Sequence, residues 1–390
     1  MEVFLVAAMA LVLLALAVLI FVGGRPLRPG ARVEVGQITG PWPRVALLVP
    51  VTGAAAGLAT RLKRLLSQDY PDYQVVFSTR DAADPATAVI RSLLPKFSRA
   101  RHVVAGPARG CGQKNQNLLA AVQLVGRTPE ILVFCDSNQE ASAGWLMELV
   151  APIVAGQGEV TSGYHHIIAA EPGGAALGRA ISVLILYLTK GFRRLNQPWG
   201  GATAIRRSLF ENLEVAKLWA ENIVDDVSLA ARLVRAGVLV GIPPGASLHT
   251  PLDHESLEGW QDWLIRQWLY LKFCMPATWL AGGVLVYLVA ALVILAGVRL
   301  ILLALGVGAG GPALVGALFL AGLTGLGLAL RSYHPHPGPL AKWLPAFFAA
   351  LGLASWCHLK TLFTMKMHWR GIIYRVGWRG RVAEIVVSSQ

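Results

Sequence analysis

The chain is 390 residues long, 55% of its residues are hydrophobic and only 15% are charged. This composition excludes an ordinary water-soluble protein, and the length allows one catalytic domain together with several membrane spans. The formal net charge of +13 favours contact with anionic lipid head groups and with a diphosphate. Nucleic acid is not expected as a partner, because the polar part of the sequence carries no basic stripe with interleaved aromatic residues. The scattered cysteines include no CxxC pair, which indicates neither a zinc site nor a disulfide framework.

The first predicted element is a membrane anchor. Residues 3–22 are uncharged and reach the ~20 residues needed to cross the hydrocarbon core. Because Glu2 replaces the basic start of a secretory signal and no small-residue cleavage site follows, we expect a retained anchor in residues 1–24. Three arginines follow it directly: Arg25, Arg28 and Arg32. The positive-inside rule therefore predicts that residues 25–259 lie in the cytoplasm, as in a protein of a bacterial inner membrane or its equivalent.

Strands and helices alternate in residues 25–259. Short apolar runs with the composition of buried parallel strands begin at Val45, Tyr73, His102 and Ile131. Segments with helical spacing follow at residues 58–66, 86–94 and 114–125, and the first has Arg61, Lys63 and Arg64 on its predicted outer face. This alternation predicts an α/β domain with an open, mostly parallel sheet, in which ligands bind beyond the carboxyl ends of the strands.

Acidic residues follow two of these strands. Asp81 follows the second strand and Asp136 the fourth, so both are expected to face one crevice. Asp81 is either a turn residue or a hydrogen-bond partner of a nucleobase or ribose. Asp136 precedes Ser137 and Asn138, and this pattern suits a hard divalent cation that bridges a diphosphate. The alternative is a helix N-cap before residues 141–150, and the two roles are compatible.

A pair of neighbouring aspartates, Asp225 and Asp226, precedes an amphipathic helix predicted at residues 227–236. One interpretation is helix capping and stabilisation of the helix dipole. The other is a general base that deprotonates an acceptor hydroxyl, a step that sugar transfer requires because a hydroxyl is a poor nucleophile at neutral pH.

Other polar positions are candidates for contact with a nucleotide sugar. Lys114 opens a helix behind a glycine-rich loop and suits a phosphate or ribose, although a solvated lysine is an equal alternative. Gly201, in a Gly-Gly-Ala-Thr-Ala run, allows close approach of a bulky ligand or simply forms a tight turn. Arg266 lies in an aromatic, basic segment at residues 260–275 that is expected to lie at the membrane surface. Its guanidinium is a candidate clamp for a leaving diphosphate.

The last apolar block covers residues 276–365 and precedes a basic tail, residues 366–390. Candidate spans lie at residues 277–298, 312–330 and 343–357. Three crossings would carry the tail to the outside, whereas the positive-inside rule favours the inside. The sequence leaves the number of spans and the side of the tail open, and the last segment is a candidate for a re-entrant one.

Taken together, these residues resemble the membrane GT-A glycosyltransferases of the family 2 type, and more narrowly the ceramide glucosyltransferases of family 21. The resemblance covers nearly the whole chain in a constant order. The segments that carry it are residues 48–50 with Gly53, 68–71 with Tyr73, 81–85, Lys114 with Asn117, 135–137, 201–206, 225–226, Arg266 with 275–278, 368–370 with 374–375, and 383–385.

The resemblance implies an inverting transfer from a UDP-sugar, with UDP-glucose as the expected donor, to a lipid such as ceramide, aided by Mg²⁺ or Mn²⁺. By position, Asp81 would bind the nucleotide, and Asp136 would bind the metal and the diphosphate. Asp226 would be the base, and Arg266 would be the arginine of the family's Gln/Arg-x-x-Arg-Trp motif.

The sequence departs from the family pattern near two of these positions. Asn138 stands at the third position of the metal motif, where aspartate is expected. Trp263 and Gln267 flank Arg266 where the motif has Gln or Arg and Trp, and Trp268 follows one residue later. Asn138 and Arg266 are predicted to contact the nucleotide sugar. Asp225, Arg266 and Trp268 are predicted to contact the acceptor or the diphosphate.

Several functions compete with ceramide glucosylation. A hopanoid or diacylglycerol acceptor fits the sequence nearly as well. A polysaccharide synthase would need a longer bundle of spans and an intact Gln-x-x-Arg-Trp motif. A catalytically degenerate membrane scaffold would have no need to keep Asp81, Asp136 and Asp226 together.

Overall fold

The structure is a computed structural model that describes residues 2–27 and 40–387. Arg28 and Arg32 of the predicted anchor flank lie outside the described residues. The strands are β1 (Val45–Pro50), β2 (Tyr73–Thr79), β3 (Ala100–Val104), β4 (Ile131–Cys135), β5 (Val160–Ser162), β6 (Tyr164–Ala169), β7 (Ala202–Arg206), β8 (Ser247–Leu252), β9 (Lys366–Trp369), β10 (Ile372–Val376) and β11 (Val382–Val387). The helices are α1 (Glu2–Ala17), α2 (Leu58–Leu66), α3 (Pro85–Leu93), α4 (Gln113–Val125), α5 (Trp145–Val154), α6 (Gly174–Thr189), α7 (Arg207–Asn212), α8 (Val215–Ala220), α9 (Asp226–Arg235), α10 (Leu257–Cys274), α11 (Pro276–Ala304), α12 (Gly310–Arg331) and α13 (Leu340–Thr361).

The central sheet has six strands in the order β3-β2-β1-β4-β7-β5. The first four are parallel, and β7 runs antiparallel to both β4 and β5. Side chains alternate across β1: Leu47 faces the apolar layer of α2, α3 and α5, whereas Leu48 faces that of α4, α8 and α9. Since both faces are covered, the strands are continuous apolar runs, as the sequence indicated. The predicted fold class is confirmed: it is a mostly parallel α/β sheet, preceded and followed in the chain by long apolar helices.

One predicted helix face is wrong. Helix α2 has the predicted bounds, but Arg61 is buried and not on the outer face. Its Nε donates to the carbonyl of Ser137 at 3.4 Å, in the loop after β4. Because arginine is charged, the sequence predicts that Arg61 faces solvent. In the structure, the loop that carries Asp136 covers this side of α2.

In the part of the chain that the structure describes, four helical segments are long and apolar enough to cross a membrane: Glu2–Leu27, α11, α12 and α13. The first three pack side by side through a shared apolar core that includes Met9, Leu292 and Leu323. At one end of this bundle, Arg299 Nη2 pairs with the Glu2 carboxylate at 2.6 Å. At the other end, Gly24 packs so closely against Tyr333 that any larger side chain would collide with its ring.

Helix α13 has a different course. Its beginning lies beside the start of α6, where Gly338 packs against Pro172 and Leu177. Its last residue, Thr361, accepts a hydrogen bond from Trp279 Nε1 at 3.1 Å, and its carbonyl accepts one from Lys272 Nζ at 2.6 Å. Both ends of α13 therefore lie on the side of the bundle that faces the α/β domain.

The C-terminal residues form a three-stranded antiparallel sheet, β11-β10-β9, docked on the α/β domain. Backbone hydrogen bonds join Ile223 N to Gly380 O and Val382 N to Glu221 O, each at 2.9 Å. The basic tail thus lies on the same side of the bundle as the α/β domain. This placement removes the alternative in which three crossings carry the tail to the opposite side.

Candidate functional site

An ion cluster lies at the carboxyl edge of the parallel strands. Lys114 Nζ is 2.9 Å from Asp136 Oδ1 and 3.0 Å from Asp225 Oδ2, and it also donates to the carbonyl of Gly200 at 3.2 Å. Lys114 belongs to the first turn of α4, Asp136 directly follows β4, and Asp225 directly precedes α9. Three distant segments therefore meet at one ammonium group.

The backbone explains how these segments meet. Because β7 pairs antiparallel with β4, Ala202 lies opposite Cys135, and the preceding Gly200 and Gly201 reach the position beside Asp136. The start of α4 is fixed by the hydrogen bond from Gly112 N to Asn222 O, 2.9 Å, just before Asp225.

Gly200 allows the cluster to close. A Cβ at this position would lie 2.3 Å from Asp225 Oδ2 and 2.6 Å from Lys114 Nζ. At Gly201, a Cβ would collide with the ring of Trp199. Both glycines are therefore required by close packing inside the protein, a reason that differs from the predicted approach of a ligand to Gly201.

Asp226 lies next to the cluster and has a different environment from Asp225. Its Oδ2 accepts a hydrogen bond from Gly200 N at 3.0 Å, and its Oδ1 accepts one from Val227 N at 2.7 Å. Asp225 occupies the N-cap position of α9 without a side-chain capping hydrogen bond, so capping does not explain it. Asp225 is buried and bound to Lys114, whereas Asp226 is partly exposed.

Burial and neighbouring charges shift the pKa values in this region. Burial, and then the charge of Asp225, raise the pKa of Asp226 to about 6. Burial lowers the pKa of Lys114, but the charges of Asp136, Asp225 and Asp226 outweigh this effect. The pKa of Lys114 therefore lies well above its usual range, and the side chain stays an ammonium group. Burial also raises the pKa of Asp136, and Lys114 opposes this shift.

Asp136 is a suitable ligand for a divalent cation. Its side chain is 32% exposed, and its oxygens are of the hard type that Mg²⁺ and Mn²⁺ prefer. The alternative role as cap of the following helix is wrong, because α5 begins only at Trp145, after Gly144. Asn138 is exposed and accepts a hydrogen bond from Gln139 Nε2 at 2.9 Å. Within residues 2–27 and 40–387, no group of three or more His, Cys, Asp or Glu side chains is arranged around a metal position.

Asp81 is not part of the ion cluster. It follows β2 as expected, but its side chain is exposed and its Oδ1 accepts a hydrogen bond from Ala83 N at 3.0 Å. The nearby Asp84 has a clear structural role, since it caps α3 through Ala86 N and binds Thr52 Oγ1 and Gly53 N, each at 2.8 Å. Asp84 thus fixes the loop after β1, and the turn beside it leaves Asp81 at the surface.

Arg266 and Trp268 lie on different sides of α10. Arg266 and Asp262 line a cavity of about 460 Å³ together with the turn between β9 and β10. Trp268 packs edge-on against His358 at 4.8 Å between ring centroids and lies over Gly282. The ring therefore faces α11 and α13, and the predicted contact of Trp268 with the diphosphate does not fit this arrangement.

Sequence reasoning missed two parts of the site. A buried aromatic layer lies beneath the glycines, where His165 stacks on Trp199 at 4.2 Å and Tyr164 stacks on Tyr187 at 5.1 Å. Lys190 belongs to this layer, and burial lowers its pKa to about 8 while Asp226 opposes the shift. The second part is the C-terminal sheet, for which the resemblance at residues 368–370, 374–375 and 383–385 was the signal in the sequence.

The α/β sheet with its acidic edge is joined to helices apolar and long enough to cross a membrane, an arrangement compatible with a membrane glycosyltransferase. Glycosyl transferase family 21 matches residues 3–382, and the chain belongs to this family. The resemblance noted from the sequence is thereby confirmed.

Solved structures with some similarity include the mannosyltransferase PcManGT from Pyrobaculum calidifontis in complex with GDP-Man and Mn²⁺. It is 18% identical, with a TM-score of 0.47, over 90% of this chain and 99% of that one. Another is GalNAc-T7 with UDP, GalNAc and Mn²⁺, which is 14% identical, with a TM-score of 0.41, over 60% of this chain and 48% of the other.

Proposed function

We propose that this protein transfers a sugar from a UDP-sugar to the hydroxyl group of a membrane lipid, with glucose and a ceramide-like acceptor as the expected pair. The observation that carries the proposal is the cluster of Lys114, Asp136 and Asp225 beside Asp226. It combines a fixed cation, a metal-competent carboxylate and a carboxylate with a raised pKa at the edge of the sheet where ligands bind.

Asp226 is the proposed general base. An acceptor oxygen forms a bond to the anomeric carbon, the bond from that carbon to the diphosphate oxygen breaks, and Asp226 takes the hydroxyl proton. Its pKa of about 6 makes it a stronger base than an ordinary aspartate while it stays ionised at neutral pH. Its hydrogen bonds to Gly200 N and Val227 N hold the carboxylate in a fixed orientation.

Lys114 and Asp136 are the proposed partners of the leaving diphosphate. The ammonium group of Lys114 places a fixed positive charge where negative charge develops. Asp136 would hold Mg²⁺ or Mn²⁺, which would supply Lewis-acid stabilisation of the same charge. Asp225 keeps Lys114 in place, since its buried carboxylate is 3.0 Å from Nζ.

The course of α13 supports a specific arrangement at the bilayer. Helix α1 and helices α11 and α12 would cross the membrane, and α13 would lie along its surface with α6 and α10. The N-terminus and the connection between α11 and α12 would then be on the opposite side from the α/β domain. A lipid hydroxyl would reach Asp226 from the bilayer surface, without leaving the membrane.

Labelling of single cysteines tests this arrangement. In intact vesicles with the α/β domain outside, an impermeant maleimide should modify cysteines placed at the exposed positions His336 and Phe363, and should spare one placed at Val307. The control is the same reaction after detergent permeabilisation, which should modify all three. Protection of either His336→Cys or Phe363→Cys before permeabilisation would contradict the placement of α13.

The transfer reaction is tested by incubating membranes that contain the protein with several labelled UDP-sugars and a panel of lipids. We expect one glycolipid, identified by mass, and the Asp226→Asn variant should lose its formation by about 10²- to 10⁴-fold. UDP binding should stay close to that of the parent chain. Equal turnover by Asp226→Asn and parent would reject the base assignment, and absence of any glycolipid with every donor would reject the function.

A further inference from the structure

The turn between β9 and β10 presents an arginine at its tip. Trp369 pairs with Ile372, so Arg370 and Gly371 form a two-residue hairpin loop. Their φ angles of +49° and +73° place both in the left-handed region, the signature of a type I′ turn. Asparagine and glycine are the favoured residues at the first of these positions, and arginine is a poor choice for the backbone. A reason other than turn formation must account for Arg370.

The tip of this hairpin reaches the loop that follows β1. Arg370 Nη1 donates to the carbonyl of Thr52 at 3.2 Å. The same Thr52 and its neighbour Gly53 are held by Asp84 at the carboxyl edge of the sheet. The guanidinium therefore bridges the C-terminal sheet and the edge where Asp136 lies. Burial lowers the pKa of Arg370, and the charges of Asp84 and Asp136 oppose this shift.

The cavity beside this tip is positively charged. Its lining combines Arg266 from α10 with Arg370 from the turn, against a single carboxylate, Asp262. Its volume of about 460 Å³ is of the size of a small-ligand pocket. Two guanidinium groups that face one cavity suit an anion with several oxygens, because each can donate two hydrogen bonds in a fixed plane.

Hydrogen bonds on both sides fix the position of the hairpin. Tyr374 is fully buried, and its hydroxyl accepts a hydrogen bond from Gln113 N at 3.2 Å, directly before Lys114. On the other side, Asn222 Nδ2 donates to the carbonyl of Arg379 at 2.9 Å, shortly before Asp225. The C-terminal sheet is thus attached to both segments that form the ion cluster, so Arg370 is preorganised beside it.

We infer that Arg370 binds the diphosphate of the nucleotide-sugar donor, opposite Arg266, so that the C-terminal hairpin forms one wall of the donor site. This inference rests on the proposed function, because it takes a nucleoside diphosphate as the ligand. It adds a residue 144 positions beyond the proposed base Asp226 to a site that otherwise ends at α10.

The test uses Arg370→Asn in the full chain, with calorimetric binding of UDP and of uridine in the presence of Mn²⁺. Asn-Gly is the favoured type I′ pair, so the variant removes the guanidinium while it keeps the turn. We expect the dissociation constant for UDP to rise about 10- to 100-fold, as for loss of a charge-assisted hydrogen bond. Binding of uridine, which has no phosphate, should be unchanged, and the melting temperature without ligand should be equal or higher.

Arg375→Asn is the matched control, because it removes the same charge from the same sheet. Arg375 pairs with Glu384 on the exposed face of that sheet. It should bind UDP like the parent, and Arg370→Lys should recover part of the lost affinity. Unchanged UDP affinity in Arg370→Asn, or an equal loss for UDP and uridine, would overturn the inference and leave the proposed function intact. A parent chain that binds no UDP would overturn the proposed function itself.

Discussion

The two walls of the candidate site are built in different ways. The wall at the sheet edge depends on side-chain charges: Lys114 is held between two carboxylates, and one of these, on Asp225, is buried. The wall formed by the C-terminal sheet depends on backbone hydrogen bonds, such as those of Ile223 with Gly380 and of Val382 with Glu221. The first wall should respond strongly to changes of charge, and the second mainly to changes that move the backbone.

The largest effect on stability is expected from Lys114→Met. This change leaves the buried carboxylate of Asp225 without its cation, a loss that costs about 3 kcal/mol in comparable buried pairs. Thermal unfolding in detergent measures it. The matched control is Lys217→Met on α8, where the lysine pairs at 3.7 Å with Glu214 and both side chains are mostly exposed. A control as destabilised as the variant would show that the cluster contributes nothing specific.

A smaller effect, on the pH profile, is expected from Asp225→Asn. In the parent chain, kcat/KM should rise as the pH increases through about 6, because only ionised Asp226 accepts a proton. The charge of Asp225 raises that pKa, so its removal should move the acid limb to lower pH.

The control for this profile is Asp72→Asn, which removes a carboxylate that pairs with Arg44 on an exposed surface. Its acid limb should coincide with that of the parent. A limb that stays near pH 6 in Asp225→Asn would show that the charge beside Asp226 does not set its ionisation.

The smallest effect is expected from Tyr374→Phe, which compares the two walls directly. The variant leaves the buried N–H of Gln113 without its acceptor and should cost about 1 kcal/mol of unfolding free energy. Tyr73→Phe in the central sheet removes an equivalent acceptor from Gln68 N, at 2.8 Å, and should cost a similar amount.

Binding of UDP separates the two tyrosine variants. Tyr374→Phe should weaken it by a few-fold, because the start of α4 carries Lys114, whereas Tyr73→Phe should not change it. Equal UDP affinity in both variants would mean that the C-terminal sheet does not position the ion cluster.

The difference between the walls also explains what the sequence predicts. Strands β1, β2 and β4 are buried on both faces, so their apolar runs identify them, and Asp136 lies directly after β4 as the sequence predicts. The C-terminal sheet gives no such signal, because backbone bonds to Gly380 and Val382 do not depend on side-chain type. Composition likewise identifies α13 as apolar but carries no information about its direction.

Arg61 and Trp268 show a further limit of sequence reasoning. Helical spacing places a residue on a face of its own helix but does not specify what covers that face. Arg61 is covered by the loop after β4, and Trp268 by α11 and α13. Asp81 follows its strand as expected, but its exposed side chain accepts a hydrogen bond from Ala83 N and makes no contact with the cluster among the described hydrogen bonds and ion pairs.

The docking of the C-terminal sheet has a consequence for biosynthesis. Strands β9 to β11 leave the ribosome after α11, α12 and α13, so the crevice is finished only once the hydrophobic helices have been made. A nascent chain that still lacks its last strands has an incomplete pocket. Closure of the cavity beside Arg266 is therefore expected to follow synthesis of the apolar helices, because residues 368–373 line it.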